Sequence, residues 1–126
     1  MDEKIRQALA TGRTIDITTI GRKSEQPRRI EIWFHNVDGR LYITGTPGHR
    51  DWYANLVAHP DFTFHLKEGV QADLPARARP ITDPEEKRAT LAPILARLGR
   101  QADIERWVEE SPLVEVTILE DATSRP

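Results

Sequence analysis

"RRIEIWFHNVDGRLYITGT" (Arg28–Thr46) decides the fold class. Its first half alternates: Ile30, Ile32 and Phe34 fall on one side of an extended chain and Glu31, Trp33 and His35 on the other, the period of a half-buried strand. Asp38-Gly39 follows, a pair that accepts the positive φ angles of a tight hairpin, so "RLYITGT" returns as an antiparallel neighbour. Strands joined this closely cannot be parallel, which needs a long crossover. The sheet is built from hairpins.

Working outward, "TIDITTI" sets Ile15 and Ile17 against Asp16 and Thr18 and reads as the strand before the turn "GRKSEQP". A short N-terminal helix is expected within residues 1–12, ended by Gly12. Beyond the hairpin, "GTPGHRD" is a loop, and "DWYANLVAHP" is a short helix with Asp51 as its cap. "DFTFHLK" and "VQADLPARARPI" alternate as strands, the second with Pro75 expected at an edge or a bulge. "TDPEEKRATLAPILARLG" is the clearest helix: Asp83 at its N-cap, Pro84 at its first position, Glu86 closing a capping box, and Leu91, Ile94, Leu95 and Leu98 on one face. "ADIERWVEE" is a further short helix and "PLVEVTILE" a last strand, with a frayed tail over 121–126. The whole chain, 1–126, reads as a single α+β domain that is mainly β: antiparallel strands curled into a small barrel with helices at its side.

Composition narrows the function classes. With 126 residues, 38% hydrophobic and 30% charged, the chain is of ordinary globular type. A formal net charge of −2 speaks against a general nucleic-acid binder, which needs a broad basic face. The absence of Cys removes thiolate nucleophiles, disulfides and Cys-type metal sites. Four histidines, His35, His49, His59 and His65, fall in no metal-binding spacing, so no metal is expected. No signal-like or membrane-spanning run is present, and a cytoplasmic, soluble protein without membrane partners is expected.

Two stretches carry ligand-gripping chemistry. In "TTIGRKSEQPRR", Gly21 frees a turn whose backbone N–H groups can form an anion nest beside Arg22, Lys23 and Ser24, with Arg28 and Arg29 close behind. Guanidinium and ammonium groups there would add charge-assisted bonds to phosphate or carboxylate. In "TGTPGHRD", Thr44, Gly45 and Thr46 end a strand and lead, through His49 and Arg50, into a helix N-terminus, which also favours anions. A solvated turn and a structural loop account for these stretches equally well on composition alone. No nucleophile, carboxylate pair or metal cluster accompanies them, so an enzyme here would take its reactivity from a bound cofactor.

"ITTIGRKSEQPRRIEIWF", "LYITGTPGHRDWYANLVAHPDFTFHL" and "ARARPITDPEEK", in that order, resemble the deazaflavin-dependent nitroreductases, also described as coenzyme F420-dependent quinone reductases. Gly21, Arg22, Lys23, Ser24 and Arg28 fit the T-T-x-G-R-K-S-G-x-x-R string of that family; Trp52, Tyr53, Asn55, Leu56, Ala58 and Pro60 fit W-Y-x-N-L-x-A-x-P. The resemblance implies a split β-barrel of the FMN-binding, pyridoxamine-phosphate-oxidase-like type. It also implies a small-molecule coenzyme, F420, whose anionic tail meets Arg22, Lys23, Ser24 and Arg28, with Arg29 as an auxiliary. The loop from Thr44 to Arg50 would border the ring or the phosphate, held in place by Trp52 and Asn55. Hydride transfer from the reduced deazaflavin to an organic acceptor is the implied reaction, and Tyr53 and His35 are the candidate proton donors. Related barrels dimerise across their sides, so a homodimer is a further expectation. Glu25 stands where the family carries Gly, and "GRQADIERWVEE", with Trp107 its one aromatic, replaces a tyrosine-rich acceptor segment. FMN is the alternative cofactor, and a non-catalytic binder of a flavin or other anionic ligand the alternative function.

Overall fold

The computed structural model describes residues 2–119. Helix α1 (Glu3–Thr11) leads into strands β1 (Thr14–Ile20), β2 (Pro27–Trp33), β3 (His35–Val37) and β4 (Arg40–Thr44). Helix α2 (Asp51–Ala58), strands β5 (Asp61–Leu66) and β6 (Ala72–Pro80), helices α3 (Pro84–Leu98) and α4 (Ile104–Glu110) and strand β7 (Leu113–Ile118) complete the order. A 3-10 turn, Gln101–Asp103, opens α4. All seven strands pair antiparallel in one sheet of order β2-β1-β5-β6-β7-β4-β3. The sheet curls into a split barrel, the architecture that the hairpins foretold. The frayed tail expected over 121–126 lies outside the described residues.

The sequence reads Arg28–Val37 as one strand, and the structure breaks it at Phe34. β2 and β3 are the two edges of the curled sheet, so this single run carries the chain across the barrel seam. Phe34 makes the bend because its ring is 2% exposed and meets Phe64 edge-on at 5.2 Å, while its N–H donates to the Arg13 carbonyl. The next hairpin is as expected, with φ of 54° at Asp38 and 86° at Gly39.

Two apolar layers hold the sheet. Ile15, Ile17, Ile43, Phe64 and Leu56 fill the barrel. On the other side of β4 and β7, Tyr42 and Leu113 meet Leu91, Ile94, Leu95 and Trp107 from α3 and α4. β4 is therefore buried on both faces, whereas β2 is exposed along most of its length. Each fully buried Leu, Ile or Phe of these layers stabilises by about 1.5–3 kcal/mol.

Three local expectations are corrected. Asp51 does not cap α2: Arg50 occupies the cap position without a side-chain bond, and Asp51 sits in the first turn. Asp83 does cap α3, accepting from the Glu86 N–H at 2.9 Å, but the Glu86 carboxylate turns to Arg79, with Nη2–Oε2 at 2.5 Å, so the capping box is half made. Pro75 lies in central strand β6, not at an edge or bulge. Its carbonyl accepts from the Leu119 N–H, so its missing donor faces the same side, at the last position of the β6–β7 ladder, where at most one terminal bond is forgone.

The outer faces of β1, β5 and β6 are tied by a polar clamp. His65, 7% exposed, is held by Asp73 Oδ1 at Nδ1 and by Thr18 Oγ1 at Nε2, each at 2.7 Å. Beside it Lys67 bridges Asp16 and Glu31.

Candidate functional site

The β1–β2 turn closes on itself. Gly21 N–H donates to the Gln26 carbonyl, Glu25 N–H to the Gly21 carbonyl, both at 2.9 Å, and Gln26 N–H to Ser24 Oγ at 3.2 Å. A Cβ on Gly21 would lie 2.3 Å from Ser24 Oγ, so that hydroxyl would have to rotate away and give up its bond from the Gln26 N–H. Arg22 N–H, expected to belong to an anion nest, is instead taken by Asn55 Oδ1 at 3.0 Å. Asn55 Nδ2 then donates to Thr19 Oγ1 at 3.1 Å. Asn55 and Thr19 are 7% and 1% exposed, so α2 anchors the turn through a buried amide. Asn55 was expected to steady the loop before α2; the structure has it steady the cationic turn.

Glu25 adopts φ 56°, the left-handed region that an L side chain enters at a cost. Glu25→Gly is expected to raise stability by about 0.5–1 kcal/mol, because Gly takes this conformation without steric penalty. Urea unfolding of both forms measures it, and an unchanged midpoint would mean that the turn does not strain Glu25.

Around this turn lies an open cleft of about 470 Å³. Arg22, Lys23, Ser24 and Arg28 line it with Thr19, Ile30, Asp51, Trp52 and Asn55. Strand register explains the set: Thr19 faces Arg28 and Ile17 faces Ile30, so alternate β2 residues continue the concave face to the barrel mouth. Ile30, expected in the core, is 37% exposed because it lies beyond the filled interior and forms an apolar cleft wall with Trp52. Arg29, one residue on, faces outward and pairs with Asp16 at 3.0 Å; it does not line the cleft.

The other candidate residues lie around or away from it. Thr44 is buried, its hydroxyl donating to the Pro112 carbonyl at 2.6 Å. Arg50 folds back, donating to Thr46 Oγ1 at 2.5 Å and to the His49 carbonyl at 2.8 Å, while His49 meets Asp51 at 3.2 Å. Gly45 packs beside Trp52 and Pro112. The loop thus backs the Trp52 wall, and none of Thr44, Gly45, Thr46, His49 or Arg50 lines the cleft. Tyr53 opens onto a different surface with Lys87, burial pushing its phenol up, and His35 belongs to a third cleft at the barrel seam. Sequence spacing did not locate these positions, because how α2 docks and where the β2–β3 run bends depend on packing against distant parts of the chain.

Among the described residues no helix is long and apolar enough to cross a membrane, and no three His, Asp or Glu side chains gather as a metal site.

The curled antiparallel sheet with its flanking helices is a split β-barrel, and solved structures bear out the fold. A conserved hypothetical protein from Mycobacterium tuberculosis superposes with a TM-score of 0.71 at 19% identity, over 95% of this chain and 82% of that one. The heme storage protein HutZ from Vibrio cholerae gives 0.71 at 14% identity, over 95% and 91%. A FAD-binding protein from Mesorhizobium loti gives 0.66 at 15%, over 91% and 87%. At such identities these likenesses concern the fold alone. The family is narrower: the sequence model of the F420H(2)-dependent quinone reductases matches residues 2–121, and the chain belongs to that family.

Proposed function

We propose that this protein is a deazaflavin-dependent oxidoreductase, moving a hydride between reduced F420 and a small organic acceptor. One observation carries the reading: Arg22, Lys23 and Arg28 converge on a single cleft and, among the described residues, form no ion pair there. Three uncommitted cations beside the Ser24 hydroxyl suit a phosphate and a polycarboxylate tail, since each ionised acceptor gains charge-assisted bonds. Ile30 and Trp52 supply an apolar wall against which a planar ring can lie. Bound there, the reduced deazaflavin would supply the hydride. The chain's own part is to grip the tail, orient the ring and keep water from its apolar side.

No proton donor is assigned. Tyr53 and His35 do not line this cleft, and its hydroxyls are Thr19 and Ser24, the first already bonded to Asn55. Nitro compounds and quinones are both acceptors to screen. A cytoplasmic location and a homodimer belong to the same proposal.

FMN binding is the second reading, since a single phosphate asks for fewer cations; a carrier without turnover is the third. Titration with oxidised F420 and, separately, FMN, followed by ligand fluorescence at low and moderate salt, tests them. The expected result is F420 binding at least tenfold tighter than FMN and weakening as salt rises. Equal or tighter FMN binding would overturn the deazaflavin assignment, and binding without turnover over a broad acceptor panel would overturn the enzyme reading.

A further inference from the structure

The cleft at the barrel seam, of about 380 Å³, lies between the end of α1, the β2–β3 bend and the end of α3. It is remote from the first. β1 and β2 pair from Ile20–Pro27 at one end to Thr14–Trp33 at the other, roughly 20 Å of strand.

Its chemistry follows from the bend. Because Phe34 turns into the core, Trp33 before it stays on the outer face, 44% exposed, and His35 after it is half-buried. The Arg13 guanidinium lies over the Trp33 ring, 4.8 Å from its centroid, and Arg97 reaches from α3 to donate to the Asn36 carbonyl at 2.7 Å. Among the described residues no Asp or Glu lines this cleft. Two guanidiniums thus share a concave space with a partly exposed indole, on one face of which Arg13 already lies, and no counter-charge. Their field is felt locally: burial first, then the charges of Arg97 and Arg13, hold His35 down to about 4, so its ring is neutral at pH 7.

We propose that this seam cleft is a binding site for a small aromatic anion, a planar ring bearing one carboxylate or sulfonate. The ring packs on the part of Trp33 that Arg13 leaves exposed, and the anionic group sits between Arg13 and Arg97, whose planar forks suit paired oxygens. Nothing in this inference rests on the coenzyme reading of the other cleft, and its test needs no coenzyme.

Benzenesulfonate is the probe, because it stays anionic over the whole pH range in which His35 titrates. The full chain is titrated with it while the His35 ring is followed by NMR. Saturable binding is expected, at least tenfold tighter than that of neutral benzenesulfonamide or non-aromatic methanesulfonate. At saturation the His35 midpoint should rise by at least one pH unit, since the bound anion offsets the two guanidiniums. Arg13→Gln with Arg97→Gln should lose at least tenfold in affinity. Trp33→Phe should keep most of it and Trp33→Ala should not. Should the double variant fail to fold, Arg13→Lys serves instead, keeping the charge but losing the fork and the stacking, with a several-fold loss expected. Equal affinity for the three probes, an unmoved His35 midpoint with benzenesulfonate bound, or unchanged affinity in the arginine variants would each overturn the proposal.

Discussion

Arg22→Ala combined with Lys23→Ala is expected to weaken F420 binding roughly 30- to 100-fold at low salt, with thermal stability almost unchanged. The magnitude follows from two charge-assisted contacts of about 1–1.4 kcal/mol each, somewhat below the usual range of such bonds because both side chains are exposed. Exposure and the lack of ion pairs also explain the small effect on folding: truncating a solvated cation costs the folded chain little. The loss should shrink as salt rises, since the wild type depends more on screened attraction than the variant does. Arg29→Ala is the matched control. Arg29 lies beside Arg28 on β2 but is turned outward to Asp16, so its removal should alter affinity less than threefold. An equal loss of binding free energy per charge removed in both variants would mean that only the general positive field matters and that the cleft is not the tail site.

That control shows where sequence reading reached and where it stopped. The hairpin at Asp38-Gly39, the inward faces of β1 and β5, and the start of α3 were legible, because each rests on local periodicity or a capping residue. The cations of the G-R-K-S turn were legible as a group. Alternation sets Arg28 and Arg29 on opposite faces of β2, but which face meets the cleft was not legible, since it follows from the pairing of Thr19 with Arg28 and Thr18 with Arg29. His35 and Tyr53 could not be located for a similar reason. Their surroundings depend on a bend at Phe34 and on the docking of α2, both decided by long-range packing against Phe64, Leu56 and the barrel interior. The β2–β3 break was not read because neither Gly nor Pro interrupts Arg28–Val37; its one local mark is that the alternation reverses after Phe34, with polar Asn36 on the apolar face and Val37 on the other.

Asn55 is the residue whose role the chain hides best, and its removal should be felt twice. Asn55→Ala is expected to lower stability by about 2–3 kcal/mol, because it strands two polar groups, the Arg22 N–H and the Thr19 hydroxyl, the latter fully buried, and leaves a small cavity between α2 and β1. The same change should weaken F420 binding about tenfold, although Asn55 carries no charge, because the turn that presents Arg22 and Lys23 loses its anchor and the coenzyme must then order it. Asn55→Asp separates the two effects. The aspartate still accepts from Arg22 N–H and from the Thr19 hydroxyl, so the turn stays in place and most of the stability returns. Its negative charge beside the cleft works against an anionic tail, so affinity should remain low. Urea unfolding and coenzyme titration on the three proteins check both arms. An Asn55→Ala variant that is destabilised yet binds F420 as the wild type does would mean that the turn holds its shape unaided, and that the buried amide serves only the packing of α2 on the barrel.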